Sequence, residues 1–342
     1  CPPLARSLHK TMPAPPPTFA APPFGHTTDR NTRRVGIELE MAGLEIEQIT
    51  GAVVDVLGGT VVRESAFVAH VRGSALGDFR AELDADILKS RGYQGHLSEL
   101  GIEIGQGSIR DGLEAVLSRV AGLVVPFELV GPPVPWTELP RIDEVRAKLC
   151  DVGARGTQAS ALYAFGMQLN VEPVELEAAY LLRVLRAFLV LYEALLEREQ
   201  VDLSRKLTPY VQAYPEDYVV HVMQKDYAPD ITRFIDDFLL YTPTRNRPLD
   251  FLSLFAHLDE ARVMAAPVER ELVKPRPAFH YRLPNCRIDE PSWTLAEAWN
   301  GWIEVERLAA DPQRLEDACA DRLAHASTWK EWLSEARRRL SS

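Results

Sequence analysis

Residues Arg33-Arg34-Val35-Gly36-Ile37-Glu38-Leu39-Glu40-Met41 alternate between polar and apolar side chains, a pattern typical of a β-strand with one buried face. Glu38 and Glu40 share one face of this strand, and the apolar residues around them share the other. Neighbouring carboxylates repel each other and are costly to bury, whereas Mg²⁺ or Mn²⁺ relieves that cost because these cations prefer carboxylate oxygen. A strand whose polar face meets water explains the same pattern, so the other strands must decide between the two interpretations.

The composition is that of an ordinary globular protein. Its 342 residues are 46% hydrophobic and 25% charged, and this length allows two domains or one large domain. The net charge of −11 argues against binding to nucleic acid or to an anionic membrane. The four cysteines form no closely spaced pair, so we expect neither a zinc site nor a disulfide framework, and a cytoplasmic location.

Three segments are predicted along the chain. Residues 1–30 carry eight prolines within the first 25 positions and lack the apolar stretch of a signal peptide, so we predict a disordered, Pro-rich arm. Residues 31–310 are predicted to form the main domain, with a helical insertion at about 175–275, and residues 311–342 a C-terminal helix. The apolar helix around 176–196 is interrupted by charged side chains, which indicates a core helix and not a membrane span.

Polar-faced strands recur along the sequence. They are predicted at residues 34–41, 78–84, 124–130, 162–171 and 278–284. Besides Glu38 and Glu40, their polar side chains are Arg80, Glu82, Asp84, Glu128, Gln168, Asn170, His280 and Arg282. A further strand is predicted at 60–71, and helices are predicted at 46–57, 109–122, 140–152, 175–199, 216–224, 230–240, 249–262 and 311–340.

These elements predict an α+β fold. The five polar-faced strands are expected to form one curved, mainly antiparallel sheet, with helices on its apolar face and a helical C-terminal half. Its polar face would then gather several carboxylates for metal ions and at least one arginine for phosphate. That combination is typical of phosphoryl transfer by positioning and charge neutralisation.

The order of these motifs resembles the amidoligases, which are carboxylate–amine ligases related to γ-glutamylcysteine ligase and glutamine synthetase. The most specific pieces are Gly36-Ile37-Glu38-Leu39-Glu40 and Phe127-Glu128-Leu129-Val130-Gly131-Pro132-Pro133, and the resemblance runs from about Arg33 to Trp302. It implies a glutamine synthetase-like funnel and an ATP- and Mg²⁺-dependent (or Mn²⁺-dependent) ligase. Such an enzyme joins the carboxylate of a peptide or small metabolite to an amine or ammonia through an acyl phosphate, with a glutamine amidotransferase as a candidate partner.

The resemblance also implies roles for individual residues. Glu38, Glu40 and Glu128 match the metal-binding glutamates of the family, and Arg282 matches the arginine of its late strand. We expect Arg282, together with Arg287, to neutralise charge on the transferred γ-phosphoryl group.

The remaining site residues are assigned from the faces of their strands. Arg80 is expected to hold a substrate carboxylate. Glu82 or Asp84, the latter matching an acidic residue of the family, is expected to bind the incoming ammonium and take its proton. Gln168 and Asn170 are assigned to the nucleotide, because amides both donate and accept hydrogen bonds.

The chain departs from the family pattern at three places. Gln168 and Asn170 stand where many amidoligases carry two histidines, although Gln-x-Asn is similar to the γ-glutamylcysteine ligases. His280 stands where a glutamate is usual, and Asp86 where a serine is common.

Two other functions fit the same fold. One is a non-catalytic nucleotide- or ligand-binding relative, and the other is a phosphagen-type phosphotransferase that stops after phosphoryl transfer. The presence of glutamates on three separate strands favours the ligase, with neither nucleic acid nor membrane as a partner.

Overall fold

The computed structural model of the chain describes residues 17–65, 67–83, 127–157, 166–199 and 212–324. Within these residues, nine strands form one open sheet. They are β1 (Arg34–Met41), β2 (Thr60–Arg63), β3 (Val68–Ser74), β4 (Gly77–Leu83), β5 (Phe127–Val130), β6 (Val134–Pro135), β7 (Met167–Val171), β8 (Leu249–Asp250) and β9 (Phe279–Tyr281).

The helices lie mostly in the second half of the chain. They are α1 (Ile46–Leu57), α2 (Leu139–Asp151), α3 (Ala178–Arg198), α4 (Glu216–Met223), α5 (Ile231–Tyr241), α6 (Leu252–Leu258), α7 (Glu260–Ala265) and α8 (Leu295–Ala309), and residues 312–324 are also helical. In the described part of the chain, no helix has both the length and the apolarity needed to cross a bilayer.

The strand order is β2-β3-β4-β5-β1-β7-β9-β8, and β6 pairs with the start of β1. Every recorded pairing is antiparallel. The prediction of a mixed fold with a mainly antiparallel sheet is therefore confirmed, and the strand predicted at 34–41 is β1. Each of the other four polar-faced strands also has its described part in this sheet, with β1 near the centre.

The sheet has one apolar and one polar face, as its two-residue period requires. On β1, the side chains of Val35, Ile37, Leu39 and Met41 are at most 3% exposed. They belong to a continuous core that also includes the buried faces of α1, α2, α3 and α8. The central strands are therefore fixed in register by their apolar side, because a slip of one residue would turn this side to the polar face.

Two predicted elements are wrong in their extent. Residues 60–71 form two antiparallel strands, β2 and β3, because the backbone turns where Glu64 and Ser65 both donate to the Val68 carbonyl. Residues 249–262 form β8 and two short helices in place of one helix. The second helix, α7, starts at Glu260 because the carboxylate of the preceding Asp259 accepts from the Arg262 backbone N–H at 3.0 Å and caps a new helix.

Some predicted segments lie outside the described residues. They are the helix at 109–122, residues 124–126 and 162–165 of two strands, and the last part of the closing helix. The other predicted helices are observed within a few residues of their expected bounds.

The segment before β1 is held against α8. The backbone N–H of Ala20 donates to Asn300 Oδ1 at 2.8 Å, and Trp299 Nε1 donates to the Ala20 carbonyl at 2.8 Å. Asn300 Nδ2 also donates to the Thr18 carbonyl at 2.9 Å. This part of the predicted disordered arm is therefore ordered, because side chains 280 and 282 residues away satisfy its backbone groups.

Candidate active site

Three glutamates lie side by side across the polar face of the sheet. Glu40 on β1 is directly opposite Glu128 on β5, and Glu128 is directly opposite Glu82 on β4. Side chains opposed in this way have Cβ atoms about 5 Å apart, and like charges at that spacing destabilise the sheet. A row of carboxylates on neighbouring strands is the arrangement expected where cations are bound.

A hydrogen-bonded chain of side chains runs beside this row. Arg282 Nε donates to Gln168 Oε1 at 2.7 Å, and Gln168 Nε2 donates to Asn170 Oδ1 at 2.6 Å. Asn170 Nδ2 then donates to Glu38 Oε1 at 2.6 Å. The predicted amides therefore link the predicted arginine on one side of the site to a predicted metal-binding glutamate on the other.

The register explains why these side chains meet. Glu38 is directly opposite Gln168, and Asn170 is opposite Gly36, which carries no side chain. A Cβ atom at position 36 would lie 3.3 Å from the Asn170 Cβ and 3.4 Å from its Nδ2. Glycine at this position leaves room for the Asn170 amide to reach Glu38.

Glu40 is positioned by the backbone of the neighbouring chain segment. Its Oε2 accepts from the Gly166 N–H at 2.6 Å, while its own N–H donates to the Gly166 carbonyl at 3.2 Å. The backbone of Gly166 thus orients the carboxylate of Glu40.

Arg80 and Glu82 form an ion pair on β4, with 2.7 Å between Nη2 and Oε2. Burial raises the pKa of Glu82, and the nearby carboxylates of Glu38 and Glu64 add to this effect. The cations of Arg80 and Lys274 oppose it. A carboxyl group whose pKa is raised in this way is suited to proton transfer.

A buried histidine and aspartate extend the polar face toward its edge. His280 on β9 is directly opposite Asn170 and Asp250, and it lies between them. His280 is 5% exposed and Asp250 is 1% exposed, and 3.8 Å separate Nδ1 of the former from Oδ2 of the latter. That distance is too long for a hydrogen bond. Among the described residues, neither ring nitrogen of His280 has a hydrogen-bond partner.

Burial shifts both groups toward their neutral forms. It lowers the pKa of His280 well below its ordinary value, and the guanidinium groups of Arg282, Arg276 and Arg245 lower it further. Burial also raises the pKa of Asp250 to about 6. Asp250 was not predicted as a site residue, because the sequence pattern assigned it to the start of the helix predicted at 249–262.

The predicted Arg287 is engaged elsewhere. Its guanidinium donates to both carboxylate oxygens of Glu290, with the shorter distance at 2.5 Å, and to Glu297 at 3.1 Å. The structure therefore brings Arg282 into contact with the other predicted site residues but shows no such contact for Arg287. Asp84 and Asp86 lie outside the described residues.

The donor set fits a hard divalent cation in its chemistry, because it consists of carboxylate and amide oxygens. Within the described residues, no three acidic, histidine or cysteine side chains converge closely enough to form a metal site. Glu38 and Glu40 instead direct oxygens toward Asn170 and Gly166. In the described part of the chain, the glutamates thus share one face of neighbouring strands without converging on a single point.

Fold and site together define a mixed α/β protein whose antiparallel sheet presents a face rich in carboxylates and amides. A family model described as "putative amidoligase enzyme" matches residues 31–304. The chain belongs to this amidoligase family, as its motif order predicted. The family description is that of a ligase. No curated protein and no solved structure matches the chain.

Proposed function

We propose that this protein is an ATP- and Mg²⁺-dependent carboxylate–amine ligase with a glutamine synthetase-like funnel. The observation that carries the proposal is the register of Glu40, Glu128 and Glu82 across three adjacent strands. A purely structural sheet gains nothing from like charges in this position. The family membership independently favours a ligase.

Glu38, Glu40 and Glu128 would hold the metal ions on the polar face. When bound, Mg²⁺ supplies charge neutralisation on the phosphates and holds them in line for transfer. The amides of Gln168 and Asn170 fix both Glu38 and Arg282 in place, so these two side chains keep their orientation before substrates arrive.

In the first step, a carboxylate oxygen of the substrate attacks the γ-phosphorus of ATP. The bond from that phosphorus to the β,γ-bridging oxygen breaks, and ADP leaves with the electron pair. Arg282 would neutralise charge on the transferred group. The product of this step is an acyl phosphate, whose carbonyl carbon is far more electrophilic than that of the carboxylate.

In the second step, an amine attacks that carbonyl carbon and inorganic phosphate leaves, which forms the amide. An ammonium substrate must first lose a proton. The carboxylate of Glu82, whose pKa is raised, is suited to accept it. Asp84 is the second candidate for this role. Arg80, next to Glu82 on the same strand face, would hold a carboxylate of the substrate.

A non-catalytic nucleotide-binding relative is the second candidate function. It is favoured by the lack of converging metal ligands among the described side chains. The two functions predict different outcomes in one assay, because only a ligase makes an acyl phosphate.

Trapping with hydroxylamine tests the proposal. The protein is incubated with Mg²⁺, ATP, hydroxylamine and a pool of small carboxylates and peptides, and hydroxamates and ADP are measured by mass spectrometry. A ligase is expected to form hydroxamate and ADP in equal amounts. Glu128→Gln should reduce both by roughly tenfold or more, because a charged group that contacts the metal is lost. Exposed Glu197→Gln serves as the matched control and should leave both unchanged.

ADP formation without any hydroxamate would point to phosphoryl transfer to a different acceptor and would contradict the ligase proposal. Absence of both products, with Mg²⁺-dependent nucleotide binding retained in calorimetry, would identify the non-catalytic relative. Absence of nucleotide binding as well would rule out both candidate functions.

A further inference from the structure

A cavity of about 60 Å³ lies between α3, the end of α8 and the segment that precedes β1. Arg183 and Val184 line it from α3, and Ala309 and Ala310 line it at the end of α8. The two alanines leave this space open, because a larger side chain at either position would project into it. Since α3 and α8 pack on the apolar face of the sheet, the cavity lies on the opposite side of the sheet from the proposed active site.

The lining of the cavity runs from buried to exposed residues. Tyr180 and Glu306 are its most deeply buried polar residues, and Tyr180 packs on the buried ring of Phe279 with 6.4 Å between the ring centres. At the other end, Phe24 and Pro312 are exposed. A small molecule can therefore enter from the side of Phe24 and Pro312. Most of the surface that it meets inside belongs to apolar side chains.

The carboxylate of Glu306 is already compensated within the protein. Its two oxygens accept from Arg33 at 2.8 and 2.6 Å, and Trp302 Nε1 donates to Oε1 at 2.7 Å. Glu306 therefore has no need of a cation from a ligand. Because its charge is paired, it also repels a bound anion far less than a bare carboxylate would.

The positive charge at the cavity is not satisfied in this way. In the described part of the chain, the guanidinium of Arg183 makes no hydrogen bond, and its ion pair with Glu175 spans 4.0 Å. The central guanidinium carbon lies 5.8 Å from the centre of the Tyr180 ring, which holds the group over the cavity wall. An arginine in this state is able to form two parallel hydrogen bonds with a carboxylate.

We propose that this cavity binds a small aliphatic monocarboxylate, whose carboxylate pairs with Arg183 and whose hydrocarbon chain lies against Val184 and Ala310. A water molecule needs roughly 10–15 Å³ of cavity volume, so 60 Å³ has room for about four to six small groups. Butyrate, with about six non-hydrogen atoms, fills this space. The site is separate from the proposed active site and does not depend on the ligase proposal.

The charge of the ligand is tested with butyrate and its neutral analogue butyramide. Each is titrated against the full chain without nucleotide or divalent cation, and saturation-transfer difference NMR measures the affinity. Butyramide should bind about tenfold more weakly, because it cannot form a charge-assisted hydrogen bond. Arg183→Gln should weaken butyrate binding by about tenfold and leave butyramide unchanged. Exposed Arg307→Gln removes the same charge from α8 and should change neither affinity.

Two more variants test the space and the competing carboxylate. Ala310→Leu places extra carbon atoms in the cavity and should weaken binding of both molecules by about tenfold or more. Glu175→Gln removes the carboxylate that competes for Arg183, so butyrate should bind up to about fivefold more tightly, the scale of an exposed ion pair. Butyramide should not respond to Glu175→Gln. Circular dichroism checks that each variant is folded.

Arg80→Gln shows where butyrate binds, because the polar face is also expected to hold a carboxylate. This variant should leave butyrate binding unchanged. If Arg80→Gln weakens it and Arg183→Gln does not, butyrate binds at the proposed active site and the inference is wrong. Equal affinities of the wild type for butyrate and butyramide, or binding of neither, would also overturn it. None of these results involves ATP, so the ligase proposal is decided separately by hydroxamate formation.

Discussion

Arg33 and Glu306 bury opposite charges as a closed pair, whereas the glutamates of β1, β4 and β5 place like charges side by side on the polar face of the sheet. In the pair, Arg33 donates to both oxygens of Glu306 at 2.8 and 2.6 Å, and Trp302 Nε1 donates to Oε1 at 2.7 Å. The two charged side chains are 2% and 3% exposed.

The electrostatics of the two regions differ accordingly. Burial alone would lower the pKa of Arg33, but the hydrogen bonds and the charge of Glu306 raise it, so the charged form is favoured. On the polar face, burial raises the pKa of Glu82 and of Asp250, so their charged forms are disfavoured. An ion pair that is complete within the protein, such as Arg33–Glu306, stabilises the fold. Carboxylates that lie opposite other carboxylates mark the surface where we expect ligands to bind.

The largest effect is expected from opening the closed pair. Arg33→Met leaves Glu306 buried without its partner and should lower the free energy of unfolding by about 3–5 kcal/mol. Denaturation in urea, followed by circular dichroism, measures the change. Exposed Arg307→Met on the same helix as Glu306 is the matched control and should stay within about 0.5 kcal/mol of wild type.

The double variant Arg33→Met/Glu306→Met checks the reason for that loss. Removing both charges should recover much of the stability, because no uncompensated ion remains buried. If the double variant were as unstable as the single one, packing and not charge pairing would explain the contribution of Arg33.

The next effect concerns pH and the Asp250–His280 pair. The pKa of Asp250 is about 6 in the folded protein, above its ordinary value of 3.8, so the folded state binds a proton before the unfolded state does as pH falls. This adds about 3 kcal/mol of stability between pH 7 and pH 3, at about 1.4 kcal/mol per pKa unit. Asp250→Asn cannot gain this stability, so wild type should become more stable relative to this variant on acidification. Urea denaturation at a series of pH values measures the difference.

His280 acts in the opposite direction. Its lowered pKa means that the unfolded chain binds a proton below about pH 6.5 while the folded protein does not, which reduces stability in acid. Comparing wild type with Asp250→Asn at each pH cancels this contribution, because both proteins keep His280. Exposed Asp226→Asn should show no such divergence from wild type, and a similar divergence there would contradict the assignment to burial.

A slightly smaller effect is expected from supplying a divalent cation to the polar face. Mn²⁺ at about 100 times its dissociation constant should stabilise the wild-type protein by about 2.7 kcal/mol, because it binds only the folded state. Differential scanning calorimetry measures this as an increase in Tm. Glu128→Gln should lose most of the increase, whereas Arg33→Met should keep it despite its lower starting Tm. An equal increase in all three proteins would place Mn²⁺ at another site.

The contrast between the two regions also shows what the sequence could predict. The strand 34–41 and the helix ending at Gly58-Gly59 are observed as expected, because alternation and a terminating glycine pair are local signals. The same alternation is enough to place Glu38 and Glu40 on the polar face of β1, and Glu128 on the polar face of its own strand. A two-residue period needs only the residues of one strand.

The closed pair could not be predicted in this way. Arg33 and Glu306 are 273 positions apart, and neither residue has a local pattern that indicates the other. The opposition of Glu128 to both Glu40 and Glu82 likewise depends on strand order, which alternation does not specify. The approach of Arg276 Nη1 to within 3.9 Å of Glu38 Oε1 was not predicted for the same reason, because these two residues are far apart in the sequence.

The smallest effect is expected from removing one like charge from the polar face, and its sign is opposite to that of Arg33→Met. Because the pKa of Glu82 is raised, its ionised form disfavours the folded state above its unfolded pKa. Glu82→Gln should therefore increase the free energy of unfolding at pH 7 by about 0.5 kcal/mol, the scale of a cross-strand charge contact. The gain should disappear near pH 4, where wild-type Glu82 becomes protonated and neutral. Urea denaturation at the two pH values measures both quantities, with Glu197→Gln as the exposed control.

A loss of stability in Glu82→Gln at pH 7 would contradict this prediction. It would show that the attraction between Arg80 and Glu82 is stronger than the repulsion between Glu82 and the neighbouring carboxylates. The contrast between the two regions would then not extend to β4.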